Sequence, residues 1–391
     1  MDPAQGAILN CVRITVFVLA AAGVLAAIDL EHVVVLKDDT QYYITPWLTQ
    51  ARSGELVVTA REAHARRADQ RGHVDPTARG ILLRSRDGGR TWGGKSVIDD
   101  ETYRFSQTQD VPHARLADGS LLLTMYSWAV SPLPVDFPGS RRAFTYTFEG
   151  LWTRASADNG VTWSDRRPVV VPGLPPLSTR VPPVELPGGT LLMAVYDEGP
   201  KRSGLDWSRC WLIRSTDRGL TWGSPALIAE DDAYRRNFEE PSLLRLRDGK
   251  LISMMRITSG KSPLYPDSKE GYLWQSESAD DGKTWSKPLK TAIWGYPADV
   301  IELRDGRLLC TYGFRQKPFG VRAVISRDKG KTWDIERALV LRDDGGTGDL
   351  GYPSSVELTD GRVLTVYWMN HEQPGDPGSA TRYVAGTFYR P

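Results

Sequence analysis

Five copies of one eight-residue pattern, Ser-x-Asp-x-Gly-x-Thr-Trp, constrain this chain more than any other feature. They run 85–92, 156–163, 215–222, 278–285 and 326–333. Self-similarity at a near-constant period means that one supersecondary unit is repeated, and that such a unit buries its apolar face against neighbours of its own kind. A second pattern keeps the same period: a proline, an apolar stretch, a turn ending in glycine and another apolar stretch. Its turn glycines are Gly54, Gly119, Gly189, Gly249, Gly306 and Gly361, separated by 65, 70, 60, 57 and 55 residues.

Segments such as 242–256 (SLLRLRDGKLISMMR) and 354–368 (SSVELTDGRVLTVYW) are two short apolar runs joined by a tight Asp-Gly turn, the pattern of a β-hairpin. Six such units, each long enough for a four-stranded sheet, predict an all-β, six-bladed β-propeller. The 37 glycines, 26 prolines and 13 tryptophans fit a turn-rich β chain and exclude an all-helical one. No linker interrupts the series, so residues 28–391 are expected to form one domain. The sixth unit lacks the Ser-x-Asp box, as a terminal blade that closes the ring would, with the strands 32–37 and 383–389 available for the closure.

A net charge of +1 provides no global field for nucleic acid or an anionic membrane, so binding must be local. Residues 14–28 are an uncharged, largely apolar run behind Arg13, short for a membrane span and suited to a signal-peptide core. Residues 1–27 are therefore expected to be a signal peptide or an anchor, and the protein to be exported. Cys210 and Cys310 stand at unrelated spacing, and the five histidines are scattered, so no metal-ligand cluster is visible.

Within the repeated box, Asp can accept its own turn's N–H groups, Gly supplies a positive φ, and Trp wedges between sheets. The five aspartates, Asp87, Asp158, Asp217, Asp280 and Asp328, are accordingly expected to be structural. These boxes resemble the Asp-boxes (BNR repeats) of the sialidase superfamily, over essentially the whole chain after the apolar run. That resemblance implies a retaining glycosidase with a tyrosine nucleophile, its carboxylate base, an aspartate acid/base and arginines that clamp an acidic sugar. The choice of tyrosine has an electrostatic logic. An anomeric carbon that carries a carboxylate repels an anionic nucleophile, whereas a phenol is neutral until its proton leaves.

The segment 237–256 (NFEEPSLLRLRDGKLISMMR) resembles the family's Glu-Pro stretch, which implies that Glu240 is the base and Arg256 a clamp arginine. Residues 349–361 (DLGYPSSVELTDG) resemble the nucleophile segment and imply that role for Tyr352; residues 73–89 similarly imply that Asp75 is the acid/base. Arg322 matches the third clamp arginine, with Arg315 as competitor. Tyr43, in Tyr-Tyr-Ile-Thr-Pro (42–46), occupies the place of the first, and Arg61, His64 and Arg66 are available to compensate. Trp47, Trp128, Trp207, Trp274 and Trp294 fall near rim segments, and the Pro-rich stretch 128–142 is expected to wall the site.

The resemblance implies a glycan or small acidic sugar as the partner, and its chemistry requires no metal or organic cofactor. Two other functions stay open at this level. One is a propeller glycosidase or lyase for another polysaccharide, and the other a carbohydrate-binding propeller without catalysis.

Overall fold

All six turn glycines close the same turn: each N–H donates to the carbonyl three residues back, from Gly54 to Ala51 through Gly361 to Leu358. Each has φ between 79° and 95°, a region that only glycine enters without strain. The hairpins so formed are the first two strands of each blade. In the computed structural model, which describes residues 12–15, 29–51, 53–64, 73–130, 146–198, 208–231, 236–259, 271–373 and 376–391, they belong to six antiparallel sheets arranged as a six-bladed β-propeller.

Blade 1 is Gln41–Gln50, Leu56–His64, Arg79–Ser85 and Gly93–Asp99, paired in chain order. Blade 5 repeats it with Ala298–Glu302, Leu308–Phe314, Phe319–Ser326 and Leu339–Gly345. In blades 2, 3 and 4 the innermost strand is broken into two short pieces that both pair with the second strand, as Arg236–Glu239 and Leu244–Arg245 do with Leu251–Ser259. The break falls where a proline cannot donate to the ladder.

Ring closure uses both chain regions that the sequence offers. Asp29–Leu36 pairs antiparallel with Asp376–Tyr389, matching Glu31 to Phe388 and Val34 to Ala385, and becomes the outer strand of blade 6. Val12–Thr15 extends that sheet by pairing with residues 29–32. Residues 16–28, the bulk of the apolar run, lie outside the described residues, as do residues 131–142 of the expected wall, Arg66 and Trp207. Cys210 and Cys310 are buried, unbonded thiols.

The Ser-x-Asp boxes staple adjacent blades. In the first, Ser85 Oγ accepts the Gly89 N–H (2.8 Å) and donates to Asp87 Oδ1 (2.7 Å), while Asp87 Oδ2 accepts the Thr91 hydroxyl (2.5 Å). The same circuit recurs around Asp158, Asp217, Asp280 and Asp328. Each box glycine is seated against the preceding blade: a Cβ on Gly282 would stand 2.2 Å from Leu212, and one on Gly89 2.7 Å from Leu364. The boxes follow the third strand, which is antiparallel to the second, so they lie on the opposite rim from the end of the second strand. Their aspartates are structural because their oxygens are occupied by their own turn.

Candidate active site

Each blade carries a proline in or beside its innermost strand: Pro46, Pro112, Pro182, Pro241, Pro297 and Pro353. The residue one or two positions ahead of it stands at the mouth of the central channel. Blade by blade these are Thr45, Asp110, Arg180, Glu240, Tyr296 and Tyr352. Thr45, Glu240 and Tyr352 have φ of 50°, 47° and 51°, left-handed conformations that cost about 1–3 kcal/mol each and persist only where the surroundings impose them. Bulky residues immediately before proline do not choose this backbone freely.

The Tyr352 hydroxyl donates to Glu240 Oε1 at 2.5 Å, joining blade 6 to blade 4 across the mouth. Arg256 Nη1 donates to the other oxygen, Glu240 Oε2, at 3.1 Å. Arg256 comes from the returning strand of Glu240's own hairpin, where Glu239 lies opposite it in register. Burial alone would raise the Glu240 pKa, but the Arg256 charge, the tyrosine hydroxyl and the Arg180 charge together hold it below the ordinary carboxylate value. Burial, and then the Glu240 charge, push the Tyr352 phenol well above its usual range, opposed by Arg256 and Arg315. The pair is thus a neutral phenol donating to an ionised carboxylate, and proton transfer between them needs no rearrangement.

Guanidinium groups surround the phenol. The Arg180 and Arg315 carbons lie 4.9 Å and 5.7 Å from its ring centroid, and Arg256 and Arg315 lie 4.6 Å and 5.0 Å from the Tyr296 ring. Asp110 is buried beside Glu240, and burial first, then the Glu240 charge, push its pKa up to about 7. Arg180, Arg256 and Arg315 thus bring three guanidinium groups to the Glu240–Tyr352 pair.

One flank is built from His73, Asp349, Arg382 and Trp368. His73 Nε2 is 3.4 Å from Asp349 Oδ1, Arg382 Nε donates to Asp349 Oδ2 at 3.0 Å, and the Tyr352 and Trp368 rings are 6.2 Å apart. Asp75, two residues beyond His73, is 8% exposed in the turn that enters the third strand of blade 1. Its Oδ1 accepts the Thr77 N–H and hydroxyl at 2.8 and 2.6 Å, which fixes the turn and leaves Oδ2 for other work.

Three sequence expectations change. Tyr43 does not face the mouth: alternation along the strand puts Tyr42 and Ile44 beside Tyr352 and Trp368, and buries Tyr43 in the core between blades 6 and 1 with Val33, Leu358 and Phe388. Arg61 is wholly buried behind the mouth, donating to the Thr108 carbonyl (3.0 Å), Gln107 Oε1 (2.9 Å) and the His73 carbonyl, so it anchors the Asp75 loop. Arg322, in mid-strand on the third strand of blade 5, stacks on Phe314 at 3.4 Å. Arg315 instead follows the end of the second strand, which delivers it to the mouth. His64 is exposed at the end of its strand.

Among the rim tryptophans, Trp294 packs edge-on to Phe314 at 5.4 Å, Trp274 to Phe238 at 5.8 Å and Trp128 to Phe148 at 5.1 Å; Trp47 packs on the cluster holding Val181 and Phe238. Sequence reasoning missed Arg180 and Asp110. Their signal was present, since aligning the six proline-bearing segments puts both at the mouth.

Residues 81–365 match the BNR repeat-like domain family. The chain belongs to that family. It is similar to a sialidase of Micromonospora viridifaciens, 29% identical over 216 residues that cover 47% of this chain and 32% of the relative, so it spans about a third of that protein's length. A solved structure from Dyadobacter fermentans, titled as of unknown function, has 28% identity and a TM-score of 0.75 over 92% of this chain and 97% of its own. The NanB sialidase of Streptococcus pneumoniae shares the fold of this BNR propeller at 12% identity, with a TM-score of 0.61 over 91% of this chain and 70% of its own.

Proposed function

We propose that this propeller is a retaining exo-glycosidase that releases a terminal sialic acid or a related acidic sugar from glycans. The carrying observation is the 2.5 Å bond from the Tyr352 hydroxyl to Glu240, with the Arg256, Arg180 and Arg315 guanidinium groups beside it. A guanidinium group grips a carboxylate through charge-assisted bonds, and Arg256 and Arg315 are the arginines that meet it, Arg315 in the role first assigned to Arg322. The similarity to a sialidase supports the same substrate class.

In this reaction Tyr352 Oη attacks the anomeric carbon as its proton passes to Glu240. The bond to the leaving oxygen breaks, and Asp75 gives that oxygen a proton. The Asp75 carboxylate then takes a proton from water, the hydroxide attacks the anomeric carbon from the vacated side, and Tyr352 leaves, recovering its proton from Glu240. Two displacements on one carbon restore its configuration. No step calls on a metal or organic cofactor.

The test is Tyr352→Phe assayed on a sialoside with a good leaving group. Turnover should fall by roughly 10³ or more while the melting temperature stays near native. Full activity in that variant refutes the assignment, and a native chain that binds sialic acid without hydrolysing any sialoside is a lectin.

A further inference from the structure

We propose that Arg180 is the positioning residue of this centre: it pins the backbone of Tyr352 and places a fixed positive charge against the Tyr352–Glu240 pair. The inference rests on Tyr352 and Glu240 acting as nucleophile and base.

Arg180 arrives from blade 3 and is 3% exposed, so its guanidinium belongs to the wall behind the phenol. Its Nη1 donates to the Ala298 carbonyl at 3.1 Å and its Nη2 to the Pro353 carbonyl at 3.2 Å. One side chain thereby ties the inner strands of blades 3, 5 and 6 together across the axis. The second bond grips the residue that directly follows Tyr352, whose φ of 51° needs outside support.

Both partners are carbonyls, so the bonds orient the guanidinium without neutralising it. The charge lies 4.9 Å from the phenol ring and acts on the carboxylates around the channel, helping to lower the pKa of Glu240 and opposing the burial that raises Asp110 and Asp299. Arg256 is a different device, because it is in direct ion-pair contact with Glu240. As the phenol proton moves onto Glu240, that ion pair weakens and negative charge grows on the tyrosine. A cation already fixed against the ring then stabilises the product of the transfer without reorganising. The groups that face Glu240 are Arg256 on its own blade, Asp110 from blade 2, Arg180 and Tyr196 from blade 3 and Tyr352 from blade 6, with Arg315 of blade 5 facing the phenol.

The experiment measures kcat and KM for an aryl sialoside across pH in the full chain, in Arg180→Gln and in Arg180→Lys. Turnover requires ionised Glu240, and loss of the Arg180 charge raises the Glu240 pKa. The acid limb of kcat/KM should therefore move to higher pH by about one unit or more in the Gln variant and stay in place in the Lys variant. At pH 6 kcat should drop by about 100-fold in the Gln variant with KM within about threefold of native.

An unmoved limb in Arg180→Gln overturns the proposal, and so does a raised KM at unchanged kcat, which would make Arg180 a substrate contact. Should the Gln variant fail to fold, a limb displaced in Arg180→Lys overturns it equally. Retained activity in Tyr352→Phe overturns the parent reading and this one together. An inactive Tyr352→Phe with an unmoved Arg180→Gln limb removes this one alone.

Discussion

Replacing Asp110 by asparagine isolates what it costs to keep a second acid beside Glu240. Burial and the Glu240 charge raise the Asp110 pKa from the ordinary 3.8 to about 7, so the native fold holds a proton there that the unfolded chain releases. Its contribution is present below pH 4 and is lost as pH rises through 7. Three units at about 1.4 kcal/mol each make the penalty at pH 8 about 4 kcal/mol. Asparagine keeps the shape and cannot ionise. Guanidinium denaturation of native and Asp110→Asn at pH 4.5, 6, 7 and 8 should therefore give the smallest difference, about 1 kcal/mol, at the lowest pH. The variant should gain steadily up to about 4 kcal/mol at pH 8. Asp299→Asn should behave likewise but level off by about pH 7, because burial raises Asp299 only to about 6. A stability difference between native and Asp110→Asn that does not change with pH, or that shrinks as pH rises, refutes a protonated Asp110.

The two arginines of blade 5 should separate cleanly. Arg315→Ala should raise KM for an acidic glycoside by about tenfold or more, and Arg322→Ala, which loses its stack on Phe314, should leave kcat/KM within about threefold. Two glycines with nearly the same φ should also part. Gly306→Ala, whose Cβ meets open space, should cost about 1–2 kcal/mol in thermal unfolding, whereas Gly282→Ala, whose Cβ would overlap Leu212, should cost more than about 3 kcal/mol. Equal losses for the two would mean that the box glycines are not what seats one blade on the next.

Architecture was legible because it is local and repeated. Six Gly turns and five Ser-x-Asp boxes each specify their own hydrogen bonds within a few residues, and repetition at one period leaves a ring of sheets as the arrangement in which every unit buries its face. The resemblance pointed to Glu240 and Arg256, and they meet because a hairpin returns its two ends to one rim. Resemblance alone brought Tyr352 into view.

What tertiary structure decided was which side chains meet across the axis and which way each one points. A strand places neighbours on opposite faces, so a single residue of register separates Tyr42 at the mouth from Tyr43 in the core. Distance along a blade likewise separates Arg315 at a strand end from Arg322 in mid-strand. Arg180 reaches Pro353, 173 residues away in sequence, only because blades 3 and 6 face each other across the channel. No period in the sequence records that encounter. The electrostatics followed from it: Glu240, Tyr352 and Asp110, from three different blades, were carried into one buried site where the Glu240 charge raises the pKa of the other two.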